Sequence, residues 1–82
     1  MLFVFETDDT FRFWMKNTYL ALAIAYIDRT GVISDILEMA PLDTTTRYAP
    51  HRPVRYALEM NSGWFTASGI RPGDTVQGIP GR

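Results

Sequence analysis

Residues Val54 to Met60 alternate apolar and polar or small side chains more cleanly than any other run in the chain. Successive side chains of a strand point to opposite faces, so this period of two is the mark of β-structure. Val54, Tyr56, Leu58 and Met60 are expected to face a core, with Arg55, Ala57 and Glu59 facing away. A strand leaves its N–H and C=O groups unpaired until neighbours supply a ladder. The rest of the chain must therefore provide other strands.

It offers several. Met1 to Phe5 is apolar throughout, which predicts a strand buried on both faces, followed by a polar turn over Glu6-Thr7-Asp8-Asp9-Thr10. Phe11 to Lys16 alternates again. Leu22 to Ile27 has no polar face and is expected at the centre of a sheet, where Ala23 and Ala25 would let another layer approach closely. Asp28-Arg29-Thr30-Gly31 is a tight turn leading back into Val32 to Met39. That run carries a mixed period, and the hairpin turn and β-branched start favour a strand with Ile33, Leu37 and Met39 on one face. Asn61 or Ser62 is placed to cap a short helix near 62–68, with Gly69 past its end. Arg71-Pro72-Gly73-Asp74 has the type II pattern of Pro second and Gly third, and Thr75 to Ile79 is a last strand. The expected fold is mainly β: a small antiparallel sandwich or barrel with one short helix.

Eighty-two residues make one domain with a thin core, and a hydrophobic share of 46% excludes a disordered chain. The net charge of -1 excludes a general nucleic-acid binder or a polybasic membrane module. No apolar run is long enough for a membrane span, and the first residues lack the basic leader of a secretory signal, so compartment is left open. Without cysteine there are no disulfides or thiolate metal sites, and the single His51 leaves no His-rich one. No metal or cofactor is called for. There is no Gly-x-Ser-x-Gly elbow, and the glycines form neither a phosphate loop nor a dinucleotide fingerprint.

The chemistry-bearing stretch is Phe11-Arg12-Phe13-Trp14-Met15-Lys16-Asn17-Thr18. Read as a strand, it sends Phe11, Phe13 and Met15 to the core and Arg12, Trp14 and Lys16 outward. An indole with two long cations beside it is a stacking platform for a planar, sugar-like or anionic ligand. The plainer alternative has Arg12 and Lys16 lying across Trp14 to shield it from water. Residues 41–53 hold three prolines and form the longest irregular segment, where Arg47, Tyr48, His51 and Arg52 outnumber the single Asp43. Such a loop is either solvated surface or a flap over a site. The expected ligand-contacting set is Arg12, Trp14, Lys16, Asn17, Arg47 and Tyr48. Asp28 and Asp74 sit at turns, where a carboxylate normally serves backbone amides.

Phe13-Trp14-Met15-Lys16-Asn17-Thr18, Ile27-Asp28, Tyr56-Ala57-Leu58-Glu59, Gly69-Ile70 and Gly73-Asp74 together resemble a bacterial and archaeal family, domain of unknown function number 192. The resemblance runs over essentially the whole chain. It implies a compact, mainly β domain and no known activity. It also implies relatives that often look exported and carry a further segment before the point equivalent to Met1, so this chain is expected to lack an N-terminal segment and to leave a sheet edge open for a homodimer. The family commonly has Pro and Asp after the Asn-Thr pair, where this chain has Ala21 and Ala23.

Three functions follow as expectations. The first is a non-enzymatic binding or accessory module for a small carbohydrate-like or anionic molecule, with a groove floored by Arg12, Trp14 and Lys16 and rimmed by the 41–53 loop. The second is a small hydrolase-like enzyme with Glu59 as general base beside Lys16. The third is an interaction module completing its sheet with a partner strand.

Overall fold

The computed structural model describes residues 1–16 and 18–78; Asn17 and residues 79–82 lie outside it. Four strands, β1 (Leu2–Asp9), β2 (Leu22–Ile27), β3 (Ile33–Met39) and β4 (Val54–Asn61), are followed by one helical turn, α1 (Trp64–Ala67). All pairings are antiparallel, in the order β1-β4-β2-β3. Among the described residues the fold is mainly β, with the strands in one sheet and a single short helix.

The apolar β2 lies between β4 and β3, and its residues 23–27 are fully buried. One face of the sheet carries Ala23, Ala25, Ile27, Ile33 and Tyr56, on which Phe65 of α1 and the half-buried Ile70 and Val76 pack. The small alanines leave room for that layer. The opposite face carries Ile24, Tyr26, Met39, Val54, Ala57 and, from β1, Phe3 and Phe5, covered by Phe11, Phe13, Met15 and Tyr48. Both faces are therefore closed by short segments.

Several expectations change. Residues 11–16 are not a ladder strand: their one β-type link is an isolated bridge between Phe13 and Tyr48. Their alternation still holds, because Met15 is buried, Phe11 and Phe13 half-buried, and Arg12, Trp14 and Lys16 exposed. A period of two reports which side is covered, and covering a sheet face satisfies it as well as pairing does. β1 is an edge strand rather than one buried on both faces, with Leu2 and Val4 exposed. It also runs through the predicted polar turn to Asp9, its register with β4 breaking between Val4 and Asp9.

Ile33 parts company with Leu37 and Met39. Tyr26 pairs with Asp35 and Ile27 with Ile33, so Ser34 is the extra residue of a bulge that turns Ile33 onto the helix-bearing face. On β4, Ala57 does not face water but lies fully buried under the aromatic layer, and Val54 packs on that side too.

The hairpin after β2 is as expected: Asp28 Oδ1 accepts from Thr30 N, Thr30 Oγ1 and Val32 N at 2.9, 2.6 and 3.0 Å. α1 is shorter than expected, and the residue before it is Gly63 at φ 80, with no side-chain cap from Asn61 or Ser62. Ser62 Oγ instead donates to Glu38 Oε1 at 2.6 Å. The turn at 71–74 has Gly73 at φ 97 and the Asp74 N–H on the Arg71 carbonyl at 3.1 Å. Beyond it, Thr75 makes only an isolated bridge to Val32, and Ile79, the predicted end of a last strand, falls outside the described residues.

Candidate functional site

The Phe13–Tyr48 bridge is what assembles the site. The Phe13 N–H donates to the Tyr48 carbonyl and the Tyr48 N–H to the Phe13 carbonyl, both at 2.9 Å. In an antiparallel pair the next residues along face each other, so Trp14 falls opposite Arg47. The Arg47 guanidinium carbon lies 3.6 Å from the Trp14 ring centroid, and Lys16 Nζ lies 5.2 Å from it. Lys16 reaches the same ring because it follows Trp14 by two residues on the outward side of an extended segment. Trp14 remains 44% exposed.

Tyr48 is the anchor beneath this surface. Its carbonyl also accepts from the buried Tyr26 hydroxyl at 2.6 Å. Its own hydroxyl donates to Asp43 Oδ2 at 2.7 Å and accepts from Ala40 N at 3.1 Å. Asp43 Oδ1 accepts from Thr45 N, Thr45 Oγ1 and Thr46 N at 2.9, 3.2 and 3.0 Å. Hydrogen bonds from Thr46, Thr45 and Tyr48 hold the Asp43 carboxyl far below the usual carboxylate range. Burial, with the negative charges of Asp35 and Glu59 behind it, pushes the Tyr26 phenol well above its ordinary value, so it stays a donor.

The far end of the loop is tied to β3. His51 Nδ1 lies 2.8 Å from Asp35 Oδ2, and the His51 N–H donates to Asp35 Oδ1 at 3.2 Å. Ser34 Oγ donates to the same carboxylate at 2.6 Å, and Arg52 Nη2 is 3.4 Å from Asp28 Oδ2. Partial burial pushes the Asp35 carboxyl up, but the hydrogen bonds from Ser34 and His51 outweigh it and its pKa is lowered. Asp28 is lowered in the same way, the bonds from Thr30 and Val32 and the Arg52 charge outweighing burial.

Trp14, Lys16 and Arg47 are thus brought together from the expected set, with Tyr48 directly under them. Arg12 is exposed on the same outward side without a ring contact to Trp14, and Asn17 lies outside the described residues. The Arg12–Trp14–Lys16 floor therefore has Arg47, from the loop, in the place given to Arg12. Glu59 and Lys16 are not joined: the ion pairs among the described residues are Arg52–Asp28 and Arg55–Asp8, and His51 Nδ1 contacts Asp35. Sequence reasoning missed Tyr26 and Asp35. The signal for Tyr26 was a lone hydroxyl inside an otherwise apolar strand, which must find a partner when buried.

On the other face of the sheet, a cavity of about 460 Å³ opens between α1 and residues 70–76. Ala25, Ile27, Ile33, Leu58, Trp64, Phe65, Ile70 and Val76 line it, with Asp74 and Thr75 as its polar members. Among the described residues, no three His, Cys, Asp or Glu side chains gather as a metal site would require, and no helix is long and apolar enough to cross a membrane.

The family model DUF192, described as "Uncharacterized ACR", matches residues 1–78. The chain belongs to the DUF192 family. Two solved structures are similar to this DUF192 chain. A candidate transcription regulator from Sinorhizobium meliloti 1021 superposes with TM-score 0.85 at 37% identity, over 92% of this chain and 58% of that one. A protein of unknown function from Novosphingobium aromaticivorans DSM 12444 superposes with TM-score 0.88 at 32% identity, over 95% and 56%. The chain thus spans somewhat more than half the length of either. No curated protein matches it.

Proposed function

We propose that this DUF192 chain is a binding module whose site is the surface formed by Trp14, Lys16 and Arg47, taking a small carbohydrate-like or anionic molecule. One observation carries the reading: two cations converge on one half-exposed indole, and neither has a carboxylate partner among the described residues. The shielding alternative draws both cations from the chain neighbours Arg12 and Lys16. Instead one of the two is delivered from a loop that five hydrogen bonds through Tyr48 hold in place. A preorganised site loses less conformational entropy on binding, which favours affinity.

The test is an NMR screen of sugars, sugar acids and phosphates against the protein, read at the Trp14 indole N–H. Trp14→Ala should abolish any binding found there and leave the fold intact, because the side chain is outside both core clusters. Full affinity in Trp14→Ala would refute the site. The regulator description of one neighbour brings no nucleic-acid role with it, since three side chains on a chain of net charge -1 make no phosphate-tracking stripe. The hydrolase alternative gains no support from geometry, since Lys16 lies on the indole and no ion pair to Glu59 occurs among the described residues.

The exposed apolar side chains of edge strand β1, Leu2 and Val4, favour a second reading, a homodimer or partner strand added at that edge. Light scattering on a concentration series tests it. A monomer at all concentrations removes the homodimer.

A further inference from the structure

We infer that the Trp14 surface selects an oxyanion, a carboxylate or phosphate group, and does not stack a neutral sugar ring. The inference rests on this surface being a binding site and concerns what that site takes. A sugar-stacking platform needs an open aromatic face. Here the Arg47 guanidinium occupies a face of the indole at 3.6 Å, the spacing of direct stacking. A guanidinium is planar, so its N–H groups lie in one plane with the central carbon. That plane presents a fork matched to the two oxygens of a carboxylate or phosphate. Lys16 Nζ, on the same ring, adds a second charge.

No carboxylate pairs with either cation among the described residues. Asp43 is the one carboxylate in the 41–53 loop. Both of its oxygens are engaged within the loop, by Thr45, Thr46 and Tyr48. Of the loop's other basic residues, His51 Nδ1 contacts Asp35 and Arg52 pairs with Asp28. Arg47 and Lys16 therefore share one ring as like charges, and neither is in an ion pair among the described residues. A bound oxyanion supplies a counter-charge to both, whereas a neutral hydroxyl does not. Tyr48 fixes the backbone next to Arg47 through Phe13, Tyr26 and Asp43, which holds the loop that carries the fork beside Trp14.

Titration of the protein with glucuronate, inorganic phosphate and glucose, followed at the Trp14 indole N–H and the Arg47 side-chain signals, tests this. Glucuronate or phosphate should shift both sets of signals, and glucose neither. Binding by both anions marks a general oxyanion site. A response to one alone keeps the inference and identifies the head group. Arg47→Lys retains the charge but loses the planar fork, and should weaken anion binding on the order of tenfold. Arg47 is exposed, so the variant folds. Glucose binding as tightly as glucuronate would overturn the oxyanion inference while leaving a binding module in place. An unmoved indole signal with all three probes would overturn both.

Discussion

Replacing Tyr26 by Phe tests the support of the site without touching its surface. The ring is wholly buried and stays, so only the hydroxyl and its 2.6 Å bond to the Tyr48 carbonyl are removed. That carbonyl keeps the Phe13 N–H, so no buried acceptor is orphaned. The expected loss is thus that of an ordinary hydrogen bond, about 1 kcal/mol, without the further penalty of an unpaired polar group. For a chain of this size that is a fall in Tm of roughly 4–8 °C.

A second readout separates this from a packing defect. The folded phenol titrates well above the 10.0 of an unfolded tyrosine, mainly because burial disfavours the phenolate. A raised folded pKa contributes stability that is complete below the unfolded value and is lost as pH rises toward the folded one. Above pH 10 wild type should therefore lose up to about 1.4 kcal/mol per pH unit through this residue, and Tyr26→Phe should lack that contribution. Circular-dichroism melts from pH 7 to 11.5 measure both effects. An unchanged Tm at pH 7, or an alkaline slope equal to wild type, would refute the role given to the hydroxyl.

Asp28, Asp35 and Asp43 all have depressed folded pKa values, so their stabilisation is complete above the unfolded value of 3.8 and is lost as pH falls through the folded ones. Acid unfolding should begin below about pH 4 and be shallower in Asp35→Asn, as a pH series of urea midpoints would show. Phe65→Ala removes the buried ring through which α1 is seated on Ala23 and Ala25, and should cost about 3–5 kcal/mol, much of the stability of so small a domain. Urea unfolding checks it, and a loss below 1 kcal/mol would mean that the cavity beside Phe65 collapses to compensate.

Much of the sheet was legible because its strands obey local rules. β2 was placed centrally from having no polar face, and the hairpin after it from Asp28 and Gly31. The outward set Arg12, Trp14 and Lys16 followed from alternation alone. What was not legible is partnership. Phe11 to Lys16 alternates like a ladder strand yet lies across a sheet face, and Ala57 alternates to the outward side yet is buried because an aromatic layer covers that face. The Ser34 bulge moved Ile33 to the other face, and a one-residue insertion of this kind leaves no trace in apolar periodicity.

The same division holds at the site. Side-chain chemistry and sidedness are local properties, and alternation alone turns an indole and flanking cations toward solvent. The sequence also establishes a mainly β chain and membership of DUF192, through residues spread from Phe13 to Asp74. Which cation stacks on Trp14 was decided only by tertiary structure. Arg12 and Lys16 are its neighbours in the chain, but Arg47, 33 residues away (47 − 14), takes the close position. The cause is a pair of backbone hydrogen bonds between Phe13 and Tyr48, and such bonds depend on where the folded chain brings two segments together.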